Sequence, residues 1–281
     1  MLYAYNPQER RFNLIGTYLV GLKSNPYPNG LTYDKNLGRL HVSWTNRHFV
    51  DYAGADDPDS KAHKVQAGPN GPENNENLCY AFSDDNGCTW HLPEPSCDAI
   101  TASRGIVGTD PSAIAVPIPR DSGIMNQEAQ CIDTQRGFHV LNRDSCDGGV
   151  EKWKHYHLGA DRRWRTTPLP FRQPTKLSAR GKMIYSLEID AIYFLLPTAE
   201  GKKDEGLTII RVRRQEDGSF SSGHDIVWVG EGCDGEVLVD ELAVEELGIL
   251  YIFTTRMIRD ERRVVILEFL LRDLNNCPPL N

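Results

Sequence analysis

Apolar and polar residues alternate along this chain with the period of β-strands. In Gly38–Arg47, GRLHVSWTNR, Leu40, Val42 and Trp44 fall on one side and His41 and Ser43 on the other. The same shape returns at Gly137–Arg143 (GFHVLNR), at Asp190–Leu196 (DAIYFLL) and at Gly248–Arg256 (GILYIFTTR). Each copy follows a shorter strand and a turn: GLTYDKNLG, AQCIDTQRG, MIYSLEID and VLVDELAVEELG. Each precedes a third strand: NLCYAFS, WKHYHLG, LTIIRVRR and RRVVILEFL. Fourth strands are visible after three copies, as CTWHLP, RWRTTPLP and HDIVWVG. The one notable helical candidate is Glu236–Leu247, whose Val and Leu content fits strands equally well.

Four-stranded meanders repeated at roughly 50–60 residues predict an all-β β-propeller, with a β-sandwich or two small β domains as alternatives. At that spacing, 281 residues supply about four blades and at most part of a fifth, within one domain over residues 1–281. Residues 50–76, rich in Gly, Pro, Asp and Asn, read as a loop insertion, and Pro93–Pro119 as a second irregular excursion.

Charge narrows the partners. Lys+Arg number 31 against Asp+Glu 39, a net charge of -8, which argues against a general nucleic-acid binder but leaves room for a local basic cleft. No apolar run has the length of a membrane span. The N-terminus lacks a signal-peptide pattern, so the chain reads as cytosolic or as missing its true start. Seven cysteines allow at most three disulfides; Cys79, Cys88 and Cys97 are spaced for local bridges, free buried thiols are the plainer reading, and no CxxC metal pair is present.

Ser83, Asp85, Gly87, Thr89 and Trp90 form the pattern Ser-x-Asp-x-Gly-x-Thr-Trp, which resembles the Asp-box of sialidase-like propellers. Asp85 can accept backbone N–H groups within the turn, Gly87 supplies a positive φ and Trp90 packs between blades, so these five residues are structural. This turn lies on the face opposite the usual site. On the other face the strand-two ends bring Arg47 and His48, then Asn142, Arg143 and Asp144; beside them come Glu76, Asn77 and the segment 122–128 with Asn126, Gln127 and Glu128. Arginine grips a carboxylate bidentately, and amides suit sugar hydroxyls. His155 and His157 share one strand face and Tyr156 takes the other. His41 and His139, at equivalent positions of strand two, read as packing or a repeated hydrogen bond; His63 and His91 gain no role, and the five tryptophans read as core.

The segments Asn25–Leu31 with Asn29, Leu40–Arg47, Asn77–Asp85, Ser122–Glu128 and His155-Tyr156-His157 resemble BNR-repeat-containing propeller proteins, among them fungal lyases that cleave rhamnose–glucuronate linkages. The likeness runs from about Asn25 to Pro170. It implies secreted members of about seven blades, with N-terminal blades missing here, acting by β-elimination on a glucuronate-containing glycan. On that reading Arg47 or Arg143 neutralises the uronate with help from Asn126 and Gln127, while Tyr156 and His157, or His155, move protons. Asn29, His48, Glu76, Asn77, Glu128 and Asp144 complete the substrate set. The partner is an acidic oligosaccharide or polysaccharide, without nucleic acid or membrane, bound by a monomer. No cofactor is implied, and a structural cation stays open. One departure stands out: Asn75-Glu76-Asn77-Leu78 replaces the family's Asn-His-Asp-Leu, placing a carboxylate where an imidazole is expected. A non-catalytic carbohydrate-binding propeller and a sialidase-like hydrolase are the alternatives, though the Arg-Ile-Pro motif of the latter is absent.

Overall fold

The computed structural model describes residues 1–22, 24–49, 71–93, 98–170, 179–197, 206–220, 222–233, 235–259 and 261–280. Most of the predicted insertion, with His63, lies outside the described residues, as does Cys97. The fold is almost all β and divides into two compact units, Met1–Gln127 and Glu128–Asn281.

The first unit opens with a hairpin of β1 (Leu2–Asn6) and β2 (Arg11–Gly16), followed by β3 (Leu19–Val20). Its main sheet is built on β4 (Ser24–Asp34), β5 (Arg39–His48) and β6 (Asn75–Ser83). After β6 come β7 (Thr89–Trp90), β8 (Ile100–Thr101), β9 (Ile106–Val107) and β10 (Ile114–Val116); β7 pairs with β8, and β3 runs parallel to β9. The sheet order is β10-β6-β5-β4. The expected fourth strand, CTWHLP, is therefore corrected. It touches the sheet through one bridge, Phe82 to His91, and β10 takes the rest of the outer edge, pairing with Leu78 and Cys79. Pro93, with no N–H to donate, follows closely after that bridge.

The Asp-box turn closes this end of β6 by side-chain bonding. Asp85 Oδ1 accepts from Ser83 Oγ at 2.8 Å and Thr89 N at 2.8 Å, and Oδ2 accepts from Thr89 Oγ1 at 2.7 Å. Gly87 sits at φ 89° and donates its N–H to Ser83 Oγ, while Trp90 is buried with Val42, Trp44 and Ile106. Asp85→Ala strips three acceptor contacts from the turn and is expected to cost the first unit about 1–3 kcal/mol. Urea unfolding followed by tryptophan fluorescence checks this, with Asp85→Asn expected to lose less.

In the second unit the predicted meanders appear in order. One sheet runs β11 (Ala129–Ile132), β12 (Phe138–Asp144), β13 (Lys152–Leu158), β14 (Trp164–Pro168). The next runs β15 (Lys182–Ser186), β16 (Ala191–Pro197), β17 (Leu207–Arg213), β18 (Asp225–Gly230). The last has three strands, β19 (Leu238–Val239), β20 (Ile249–Ile258) and β21 (Glu261–Leu270). These antiparallel meanders have the form of propeller blades. The ambiguous 236–247 stretch contains a helix, α1 (Glu241–Leu247): the Asp240 side chain caps its start through Ala243 N, and Gly248 ends it at φ 65°. A second short helix, α2 (Leu271–Asn276), follows β21 in place of a fourth strand.

The central sheet is buried on both faces. Along β16, Ala191, Tyr193 and Leu195 join the core shared with Leu250, Ile252, Leu271 and Leu274. The alternating residues Ile192, Phe194 and Leu196 join the core shared with Leu141, Trp153 and Phe220. That explains why DAIYFLL reads as a continuous apolar run, whereas a half-exposed strand alternates.

Candidate functional site

The densest chemistry in the second unit grows from the turn between β11 and β12. Asp133 Oδ1 accepts the N–H groups of Gln135 and Gly137, each at 2.7 Å, so the turn fixes the carboxylate by its first oxygen. The other oxygen, Oδ2, faces His139 Nε2 at 3.2 Å and Arg214 Nη1 at 3.1 Å. His139 pairs across the ladder with His157 and Leu141 with His155, so all three imidazoles lie on one face of the sheet. The His139 and His157 rings stack at 4.4 Å, and Phe220 meets His139 edge-on.

A hydrogen-bonded chain runs through these rings. His139 Nδ1 lies 2.8 Å from His155 Nε2, and His155 Nδ1 lies 3.2 Å from His224 Nε2. The ionised carboxylate only accepts, so it fixes the tautomers in turn. His139 carries its proton on Nε2 toward Asp133. Its bare Nδ1 accepts from His155 Nε2–H, and His155 Nδ1 accepts from His224 Nε2–H. His157 stands outside this chain, with Nδ1 buried and unpartnered. Burial keeps the imidazoles neutral, pushing His224 down to about 4 and His157 to about 3, and lowering His139 and His155. Burial pushes the Asp133 carboxyl up, but His139, the Gly137 N–H and Arg214 together outweigh it and hold it at about 2.

His157 and Asp133 form part of the lining of a pocket of about 360 Å³. Three turns build its walls: residues 133–137, residues 159–165 with Asp161 and Arg165, and residues 214–219 with Arg214, Asp217 and Ser219. Arg165 grips Asp161 bidentately at 2.6 and 3.0 Å, and Arg214 holds Asp190 as well as Asp133. Among the described residues, Asp133, His139 and His157 each offer one ligand atom, all within 4.8 Å of one another, a set able to hold a metal ion.

This pocket lies at the opposite end of the sheet from the strand-two ends on which the sequence reading centred. There, in the first unit, Arg47 Nε donates to Asn75 Oδ1 at 2.9 Å and its guanidinium lies 4.9 Å from the Tyr27 ring; Asn75 in turn donates to the Ile124 carbonyl. Glu76 faces Arg120 at 3.8 Å, and Asn29 donates to Ser43 Oγ. Asn77, at φ 57°, accepts from Ile118 N, while Asn126 is buried and Gln127 sits at φ 59°. His48 is half-buried at the end of β5.

In the second unit the predicted residues are structural partners of one another. Arg143 is fully buried, 3.4 Å from Glu128 and 3.7 Å from Glu151, and donates to the Ala179 carbonyl. Burial lifts the Glu128 carboxyl to about 7, against the pull of Arg143. Asp144 accepts from Lys154 Nζ at 2.5 Å, from the Tyr156 hydroxyl and from Cys146 N. Tyr156 is fully buried on the sheet face opposite His155 and His157, so the tyrosine and the histidines do not meet in one site. Asp133, Arg165, Arg214 and His224 went unremarked in the sequence. The signal for Asp133 was available in the repeated Asp-x-x-x-Gly turns before strand two, Asp34–Gly38 and Asp133–Gly137. His139 and its counterpart His41 do make hydrogen bonds, His41 to the Tyr80 hydroxyl at 2.7 Å.

No curated protein matches the chain. Solved structures that resemble it at low identity include the following three. Hadza microbial sialidase Hz136 shares 13% identity and a TM-score of 0.45, over 88% of this chain and 43% of its own length. An N-acetylgalactosamine deacetylase from F. plautii, solved with blood group B trisaccharide, shares 12% and 0.41 over 87% and 72%. A luciferin-regenerating enzyme shares 10% and 0.32 over 89% and 78%. The chain thus spans less than half the length of the sialidase. The expectation of β-elimination at a glucuronate is corrected: Tyr156 is fully buried and committed to Asp144 inside the sheet, on the face opposite His155 and His157, so the proton-transfer pair that reaction needs is not brought together. The family described as "BNR repeat-containing family member" matches residues 1–172, more than half of the chain, and with its Asp-box and meander sheets the protein belongs to that family.

Proposed function

We propose that the protein is a carbohydrate-binding propeller protein that takes a sugar residue into the pocket walled by Asp161, Arg165, Asp217 and Ser219. The observation behind this reading is the wall itself: the ion-paired Asp161 and Arg165, with Asp217 and Ser219, around about 360 Å³. Such a wall offers fixed donors and acceptors to neighbouring hydroxyls, at a size within the range of small-ligand pockets. The sequence pointed to an acidic glycan. The pairing of Arg165 with Asp161, and of Arg214 with Asp133 and Asp190, favours a neutral one, because both guanidiniums are already neutralised.

The purified chain is expected to bind a subset of neutral oligosaccharides on a glycan array, with affinities then measured by calorimetry. Asp161→Ala and Arg165→Ala should each weaken the best ligand about tenfold, close to 1.4 kcal/mol. Binding indifferent to both changes would sink this reading, as would the lack of any bound glycan. Release of reducing ends would move the protein to the hydrolase class.

A further inference from the structure

We propose that Asp133, His139 and His157 form a binding site for a divalent transition-metal ion at the base of the pocket. Their ligand atoms lie within 4.8 Å of one another. The three side chains are 5%, 0% and 6% exposed. Two neutral imidazoles and a carboxylate form a donor set suited to zinc and its first-row neighbours.

Three further observations shape the site. The first is the space at Gly137. A Cβ there would stand 2.5 Å from Asp133 Oδ2 and 2.9 Å from His157 Nε2, so a residue without one leaves the gap between carboxylate and imidazole open. The second is His157 itself, more than nine-tenths buried, with Nδ1 unpartnered and the ring lining the pocket, which supplies the path for an ion. The third is an internal comparison. In the first unit's sheet the equivalent positions are Asp34, His41 and Phe82, because His41 pairs with Phe82 as His139 pairs with His157. The aspartate and first histidine recur; the third ligand is peculiar to the second unit.

The surrounding groups fit ligation. Arg214 and the turn N–H groups of Gln135 and Gly137 orient Asp133, as outer partners do at metal sites. His139 would ligate through Nε2, the nitrogen beside Asp133, since its Nδ1 faces His155. Ligation then requires the His139 proton on Nδ1, where it donates to His155 Nε2. His155 must in turn carry its own proton on Nδ1. Binding therefore reverses the tautomer of His155, a residue that does not touch the ion.

The test uses the untagged full chain, stripped with a chelator and titrated with Zn²⁺ alone. Calorimetry is expected to show one equivalent bound per chain. His157→Phe, which installs the first unit's own residue, should weaken binding at least tenfold and abolish the rise in melting temperature that Zn²⁺ gives the wild type. Gly137→Ala should weaken it similarly by filling the gap. Imidazole ¹⁵N spectra of the wild-type protein, which need no variant to fold, should show His155 exchanging its protonated nitrogen from Nε2 to Nδ1. Failure of the wild type to bind would overturn the proposal. So would full-strength binding by a folded His157→Phe protein, or one bound equivalent with the His155 resonances unmoved.

Discussion

Lowering the pH from 7 to 5 is expected to destabilise the metal-free Glu128–Asn281 unit by about 2 kcal/mol or more, with a steeper loss in Glu128→Gln. The buried imidazoles drive the loss. Between the ordinary histidine value of 6.5 and their folded values of about 4 and 3, His224 and His157 take up protons more readily in the unfolded chain. Their contribution is present above pH 6.5 and is lost as the pH falls toward 4. By pH 5 the loss amounts to about 2 kcal/mol for each ring. His139 and His155 are lowered by burial too and act in the same direction.

Glu128 acts the other way. Its carboxyl is raised from 4.5 to about 7, so the folded state holds the proton more tightly, and stability is highest below 4.5 and falls as the pH rises through 7. From pH 7 down to 5 this returns about 2 kcal/mol, offsetting one histidine. Glu128→Gln removes that offset. Urea midpoints measured at half-unit pH steps should show the variant losing roughly twice as much as the wild type over this range. Parallel profiles for the two proteins would contradict the assignment of Glu128 as a carboxyl that titrates in the core.

Asp144→Ala is expected to cost about 3–5 kcal/mol, the range for breaking a buried charge pair from one side. Asp144 receives Lys154 and the Tyr156 hydroxyl within the sheet, and neither donor is solvated. Removing the carboxylate leaves the phenol unsatisfied and Lys154 with Asp147, a partner that is itself 59% exposed. Tyr156→Phe deletes one donor and leaves Asp144 bonded to Lys154 and Cys146 N, so about 1 kcal/mol is expected. Chemical denaturation of both variants checks the order; equal losses would show that the lysine pair contributes little.

Much of the fold was legible because strands separated by turns leave a plain periodic trace. The meanders of the second unit could be read directly from stretches such as Gly137–Arg143 and Asp190–Leu196, and the Asp-box turn from Ser83 to Trp90. The β6 edge was not, since one Phe82–His91 bridge and a three-residue strand from a distant segment share it. The site was harder. Arg143, Asp144 and Glu128 look like ligand-binding groups in sequence, where a polar residue in a strand suggests an exposed position. Packing of the sheet on both faces turns that inference around: all of Phe138–Asp144 is buried, and its charges are neutralised by neighbours. The pocket draws instead on turn residues such as Asp161, Asp217 and Ser219, which in sequence are indistinguishable from ordinary turn-formers.

The alternation along β16 has a consequence for how the second unit comes apart. One seven-residue strand forms a wall of both hydrophobic cores, Tyr193 and Leu195 on one side and Ile192 and Phe194 on the other. Neither core can open without stripping contacts from a strand that the other still needs. The three sheets of this unit therefore melt together as one cooperative block, with β16 among the last amides to exchange with solvent.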